Sequence, residues 1–209
     1  MSFLDALIIE ADKALKTLTP SVSKAERPSP SEAHEDSPLT IEDHLKVTGL
    51  MRVNHCGEVC AQALYRSQAL TSGSPGVKAS MQEAAQEEID HLAWCEQRLA
   101  ELNSRPSLLN PVFYGLSFGI GAMAGLVGDR YNLGFVAETE EQVCKHLEQH
   151  LSQLPKDDLR TQAILEQMHV DEAKHQKEAL AQGGVEFPMP VKLLMGAVAK
   201  VMTSTTYRI

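Results

Sequence analysis

The feature that most constrains this chain is a pattern that occurs twice. Glu88 is followed three residues later by His91, and Glu172 by His175. Each pair also has an upstream Glu at nearly the same distance: Glu58 stands 30 residues ahead of Glu88, and Glu140 stands 32 ahead of Glu172. On a helix, positions i and i+3 lie one turn apart on one face, so Glu-x-x-His aims a carboxylate and an imidazole at one point. A single such pair is ordinary on a solvated helix face. Two copies with matching upstream Glu, on four predicted helices, are not. Buried together without a cation, four carboxylates would repel one another and resist desolvation. The pattern calls for a helical fold that brings four segments to one centre, and for metal there.

The rest of the chain supplies those helices. Aromatics are only 5% of the residues, and Ala, Leu, Glu and Gln are abundant, which favours helices over a sheet. Bundle helices are predicted over 48–70, 77–102, 130–154 and 156–182. Ser72-Gly73-Ser74-Pro75-Gly76, Asn103-Ser104-Arg105-Pro106, Pro155 and Gly183-Gly184 end them. Short connections make antiparallel hairpins of the first and second pairs, and the long connection between the pairs is a crossover. That crossover is uncharged from Pro106 to Gly128 and contains five glycines. Its length makes it a transmembrane candidate. A single span, however, would put the two Glu…Glu-x-x-His halves on opposite sides of a membrane. It is therefore a helix covering the bundle or an element dipping into one leaflet.

Three domain parts are expected. Residues 1–18 form a short amphipathic helix, with Phe3, Leu4, Leu7, Ile8, Ala11, Leu15 and Leu18 near helical spacing. Residues 19–40, with four prolines and many serines, are a mobile linker. Residues 41–209 are the bundle domain. The stretch from Val191 to Met202 is apolar again, and with the crossover and N-terminal helix it suggests a peripheral membrane face. A net charge of −9 without a Lys/Arg cluster argues against nucleic acid. The four cysteines form no CxxC pair and are read as buried thiols in a reducing compartment. No secretory signal is evident, and no Gly-x-Gly-x-x-Gly fingerprint suggests a tightly bound nicotinamide or flavin.

One Glu from each of two helices, with Glu-x-x-His from two others, is the ligand arrangement of di-metal carboxylate proteins with a ferritin-like bundle. The expected fold is thus all-α: a ferritin-like four-helix bundle with a long crossover and additional amphipathic helices. Carboxylates bridge and offset the charge of two cations, and imidazole suits iron. Glu87 and Asp171, each directly before a ligand Glu, are assigned to orienting the ligand histidines through their second ring nitrogens.

The stretch Arg52-Val53-Asn54-His55-Cys56-Gly57-Glu58, then Leu64-Tyr65, then the first Glu-x-x-His, resembles the demethoxyubiquinone hydroxylase family of ubiquinone biosynthesis. Glu140-Glu141 with His146, and Asp171 to His175, match as well, and the likeness runs from about Ile41 to Ile209. The resemblance implies two iron ions per chain, held by Glu58, Glu88, His91, Glu140, Glu172 and His175, with Glu88 and Glu172 bridging. Among Glu138, Glu140 and Glu141, Glu140 keeps the family's register with His146. The resemblance also implies a monooxygenase that takes dioxygen and hydroxylates a polyprenyl benzoquinol. The expected location is peripheral, on the cytoplasmic face of a bacterial cell membrane, among other ubiquinone-biosynthesis proteins. Tyr65, on the face of Glu58, and His146, as a proton relay or ring contact, are further candidate catalytic residues. Three rivals share parts of the pattern. A ferritin-like iron-oxidising or storage protein needs no apolar face, a dimanganese catalase uses the same ligand types, and a helical membrane adaptor binds no metal.

Overall fold

A computed structural model describes residues 3–209. Residues 1 and 2 and the side chains of residues 3, 4, 6 and 7 lie outside the described residues. The apolar positions expected at Phe3, Leu4 and Leu7 therefore lie outside them too. The described residues are all helix and connection, with no strand among them: α1 (Phe3–Leu18), α2 (Ile41–Thr71), α3 (Pro75–Glu101), α4 (Asn110–Val127), α5 (Asp129–Gln153), α6 (Leu159–Ala181) and α7 (Met189–Thr206).

Helices α2, α3, α5 and α6 make the bundle, and its core has two apolar plugs with a polar layer between. At one end Leu50, Met51, Trp94, Leu99, Leu147, Ile164 and Met168 pack together. At the other, Tyr65, Ala69, Met81, Ala85, Leu133, Val136 and Ala179 do so. Each helix donates to both plugs, and its Glu or Glu-x-x-His falls between the two donations. The order of those donations shows that α2 and α6 run one way and α3 and α5 the other. The connection from α3 to α5 must therefore travel the length of the bundle, and α4 does this alongside α2. Gly121 and Gly125 let it come close: a β-carbon at Gly121 would strike the Ser67 hydroxyl and the Leu64 carbonyl, and one at Gly125 would strike Thr71. Gly128, at φ 124°, then makes the turn into α5 that a side chain would strain.

The crossover is thus a helix laid on the bundle, with Leu116, Met123, Leu126 and Val127 on its outward face. It is long and apolar enough to cross a membrane by length and composition, and only 22% of it is buried. Helix α7 likewise exposes Leu193, Leu194, Val198 and Val201.

Two boundaries differ from the sequence-based expectation. Helix α2 starts at Ile41, where the Thr40 hydroxyl accepts from the Asp43 backbone N–H at 3.1 Å. Helix α6 starts at Leu159, where the Asp158 carboxylate accepts from the Thr161 N–H at 3.1 Å and takes 2.9 Å contact from the buried Arg98 guanidinium.

Residues 19–40 do not hang free of the bundle. They include one 3-10 turn (Pro30–Ala33) and lie along α3 and α6. Ser21 N–H donates to Glu96 at 2.6 Å, Glu26 N–H to Asp90 at 2.7 Å, and Arg160 donates to the His34 carbonyl at 3.2 Å. The segment is held by these polar contacts, with Ala25 and Leu39 packed against the core at that end, and two small apolar contacts among many Ser and Pro give little sign of docking in its composition.

Candidate metal centre

The six residues singled out from the pattern are all buried, and five of them meet directly. His91 Nδ1 lies 3.0 Å from Glu88 Oε2, 3.1 Å from Glu172 Oε1 and 3.8 Å from Glu58 Oε2. His175 Nδ1 lies 3.1 Å from Glu172 Oε2 and 3.3 Å from Glu88 Oε1. Glu88 and Glu172 therefore each turn one oxygen to each histidine. One atom from each of Glu58, Glu88, His91 and Glu172 falls within 4.8 Å of the others.

Glu140 joins through Tyr65, whose hydroxyl donates to Glu140 Oε1 at 2.5 Å, and Tyr65 in turn packs edge-on to His175, ring centres 6.2 Å apart. Its neighbours point elsewhere: Glu138 and Glu141 pair with Lys192 of α7, at 2.8 and 3.1 Å. Of the three clustered acids on α5, Glu140 faces the centre.

The outward nitrogens are held crosswise. His91, on α3, donates from Nε2 to Asp171 of α6 at 2.9 Å. His175, on α6, donates from Nε2 to Glu87 of α3 at 2.7 Å. Each acid thus serves the histidine of the opposite helix, and both rings are fixed with Nδ1 inward.

The electrostatics show what the cluster lacks in its own residues. Burial, and then the charge of Glu88, pushes the Glu58 carboxyl well above its usual range. Burial, with Glu172 and Glu88 beside it, does the same to Glu140. For His175 burial works downward, but the bonds to Glu172 and Glu88 outweigh it and push the imidazole up to about 12. His91 is raised in the same way by Glu88 and Asp171 against burial. The carboxylates gather positive charge into the centre. Glu58 Oε2 is buried without a hydrogen-bond partner among the described residues, and the nearest nitrogen to Glu88 Oε1 is His175 Nδ1 at a long 3.3 Å. Such poorly partnered buried oxygens, facing imidazole nitrogens across four helices, fit a pair of cations that take oxygen and nitrogen donors.

His146 stands apart. Its ring packs 3.9 Å from that of His150, and His150 Nδ1 contacts Asn54 Oδ1 at 2.9 Å. Burial lowers the pKa of His146, and burial with His146 alongside lowers His150 to about 3. Among the described residues no hydrogen bond joins His146 to the six. Two residues beside the centre were not singled out from the sequence: Trp94, its ring centre 5.4 Å from that of His91, and Arg27, which pairs with Asp171 at 2.9 Å. Trp94 carries a signal, being a lone Trp one turn past His91; Arg27 sits in the Pro/Ser-rich stretch and carries none.

A model of the family described as ubiquinone biosynthesis protein COQ7 matches residues 45–206. The chain belongs to the COQ7 family. Membership agrees with the resemblance read from the Arg52 to Glu58 stretch and the two Glu-x-x-His motifs. Among relatives of this COQ7-family chain, a protein of Pseudomonas paraeruginosa is 60% identical over 206 residues, spanning 99% of the chain and 96% of the relative. One of Azotobacter vinelandii is 60% identical over 208 residues, 100% and 97% of the two lengths. Both bear the name 3-demethoxyubiquinol 3-hydroxylase. A solved dodecameric thioferritin of Bacteroides fragilis, a bacterioferritin-related protein, matches with a TM-score of 0.55 at 17% identity, covering 65% of this COQ7-family chain and 82% of that one. The fold is all-α and ferritin-like.

Proposed function

We propose that the protein is a di-iron monooxygenase that hydroxylates the ring of a demethoxyubiquinol, a 2-polyprenyl-3-methyl-6-methoxy-1,4-benzoquinol, in ubiquinone biosynthesis. The observation that carries this reading is the centre itself: Glu88 and Glu172 each reach both histidines, in a chain 60% identical to named 3-demethoxyubiquinol 3-hydroxylases.

On this reading Glu58, Glu88, His91, Glu140, Glu172 and His175 would hold the two irons, Glu58 with His91 on one side and Glu140 with His175 on the other, with Glu88 and Glu172 facing both histidines. Iron bound there supplies reductive activation of dioxygen, one oxygen atom going to the ring carbon and one to water. The balance needs two further electrons and two protons, from the quinol or a reduced nicotinamide. The chain's own residues do the rest. Asp171 and Glu87 keep the imidazoles turned inward. Tyr65 holds Glu140 and has a proton to give beside the centre. The apolar plugs above and below exclude water.

The exposed apolar faces of α4 and α7 support a peripheral position on the cytoplasmic face of a bacterial membrane, where a polyprenyl tail is dissolved. Residues 41–209 form the catalytic unit, with 1–18 and 19–40 as its appendages. Other ubiquinone-biosynthesis proteins are its natural neighbours there.

The test is turnover. Iron-loaded protein is given demethoxyubiquinol, a reductant and ¹⁸O₂. One labelled oxygen in the quinol product supports the reading. Loaded protein that leaves the quinol unchanged, or that stores iron well beyond two per chain, rules it out in favour of an iron-handling protein.

A further inference from the structure

The acids that hold the two histidines are not themselves held alike. Glu87 is bound by Lys174, a residue of the bundle, at 3.2 Å. Asp171 is bound from outside the bundle. Arg27 Nη1 meets Asp171 Oδ2 at 2.9 Å, and the same oxygen accepts from His91 Nε2 at 2.9 Å. Arg27 Nε also donates to Asp90 Oδ2 at 2.6 Å, so one guanidinium ties α3 to α6. Its Cζ lies 4.9 Å from the centre of the Trp94 ring, and the centre of that ring lies 5.4 Å from that of His91. The Trp94 indole N–H donates back to the Arg27 carbonyl at 3.3 Å. The loop of contacts is closed: guanidinium, Asp171, His91, Trp94, guanidinium.

We propose that Arg27, contributed by the segment ahead of the bundle, is a positioning residue for the His91 arm of the centre. It lies outside the stretch 45–206 that the family model covers. This inference rests on the metal reading above and adds to it. A guanidinium is a planar fork that can satisfy two carboxylates in fixed directions. With Arg27 in place, Asp171 cannot swing off His91 Nε2, and His91 cannot turn Nδ1 away from Glu58, Glu88 and Glu172. Without it, Oδ2 of Asp171 keeps the histidine alone, and Gln167 at 3.0 Å holds only Oδ1. The segment read as a linker is then a strap that completes one of the two metal positions.

The experiment is anaerobic titration of the full metal-free chain with Co²⁺, followed by visible absorption. Four proteins are compared: wild type, Arg27→Met, Arg27→Lys and Asp36→Asn. Methionine keeps an apolar stem over Trp94 and removes the donors. Lysine keeps charge without the fork. Asp36→Asn cuts a different strap contact, the one to Arg98 at 3.0 Å. Outer partners of a metal ligand are worth 10–100-fold in affinity, and a group one bond further out belongs at the lower end, about tenfold. Arg27→Met should weaken one of two cobalt equivalents about tenfold and shift its bands, leaving the other as in wild type. Arg27→Lys should weaken it less, and Asp36→Asn not at all. Arg27 is 40% exposed in its side chain, so these variants are expected to fold, with melting temperature as the check. Wild-type affinity and spectrum in folded Arg27→Met would overturn the proposal. So would an equal loss in Asp36→Asn, which would assign the effect to strap docking in general. A wild-type chain that takes no cobalt would bring down the metal reading, and this inference with it.

Discussion

The two halves of the centre are nearly the same in sequence and unlike in surroundings. Glu87-Glu88-x-x-His91 and Asp171-Glu172-x-x-His175 differ by one methylene in the first acid. The structure gives each acid to the other half's histidine, then treats the acids differently. Asp171 is 12% exposed and clamped by Arg27 and Gln167, whereas Glu87 is 30% exposed and bound by a Lys174 that is itself 52% exposed. The His175 side borders a small surface cleft lined by Tyr65, Met81, Glu87 and Val136. The His91 side lies under the strap, with Trp94 between. A repeat makes two equivalent ligand sets; what packs behind them makes one closed and one open.

Removing what both halves share should have the largest effect. Glu172→Ala takes one oxygen from each histidine, so both metal positions should fail together. Iron content should fall to background, a larger loss than the 10–100-fold typical of an outer partner. Elemental analysis of the folded variant decides this, and one retained iron would show that the halves are independent.

Loosening each half alone should separate the two. Asp171→Asn should cost about 100-fold in affinity at one position, because the carboxylate is only 12% exposed and is held by the Arg27 fork as well as by Gln167. Glu87→Gln should cost about tenfold at the other, because its partner is a solvated lysine. Co²⁺ titration measures both, and equal losses would erase the distinction.

Proton counting is a smaller effect. The folded pKa of His175 is raised to about 12 from an unfolded value of about 6.5. Its ion pairs therefore contribute stability in full below the unfolded value and lose it as pH rises through the folded one. At neutral pH that imidazole carries a proton which metal must displace. Metal affinity should rise with pH, and uptake should release protons. Calorimetry in buffers of different ionisation enthalpy reads this, and uptake without proton release would contradict it. The smallest effect is expected of Asp36→Asn. Its carboxylate is mostly exposed, so thermal stability should change by no more than about 0.5 kcal/mol.

What could be read from the sequence was what repeats locally. Glu88 with His91 and Glu172 with His175 announce themselves because i and i+3 share a helix face. Glu140 needed its register with His146 to stand out from Glu138 and Glu141, and Lys192 of α7 is the physical reason that those two turn away. The first turn of α2 is hard to read from spacing because its apolar residues, Ile41 and Leu45, face solvent and are set among Glu42, Asp43 and His44; the Thr40 cap marks the start. The crosswise roles of Glu87 and Asp171 depend on how α3 faces α6, which spacing along one helix does not carry. His146 fits the family's register, yet its contacts are His150 and, through it, Asn54. The strap was invisible for a different reason: backbone N–H groups of residues 21 and 26 are bound by acids of α3, and composition does not record hydrogen bonds.

The most direct measurement is an anaerobic titration of the metal-free chain with Fe²⁺, counting equivalents bound. Two irons per chain of unequal affinity are expected, with the binding at the His91 position weakened when Arg27 or Asp171 is changed. A folded chain that binds no iron, or binds only at its exposed carboxylates with Glu172→Ala unaffected, would contradict this.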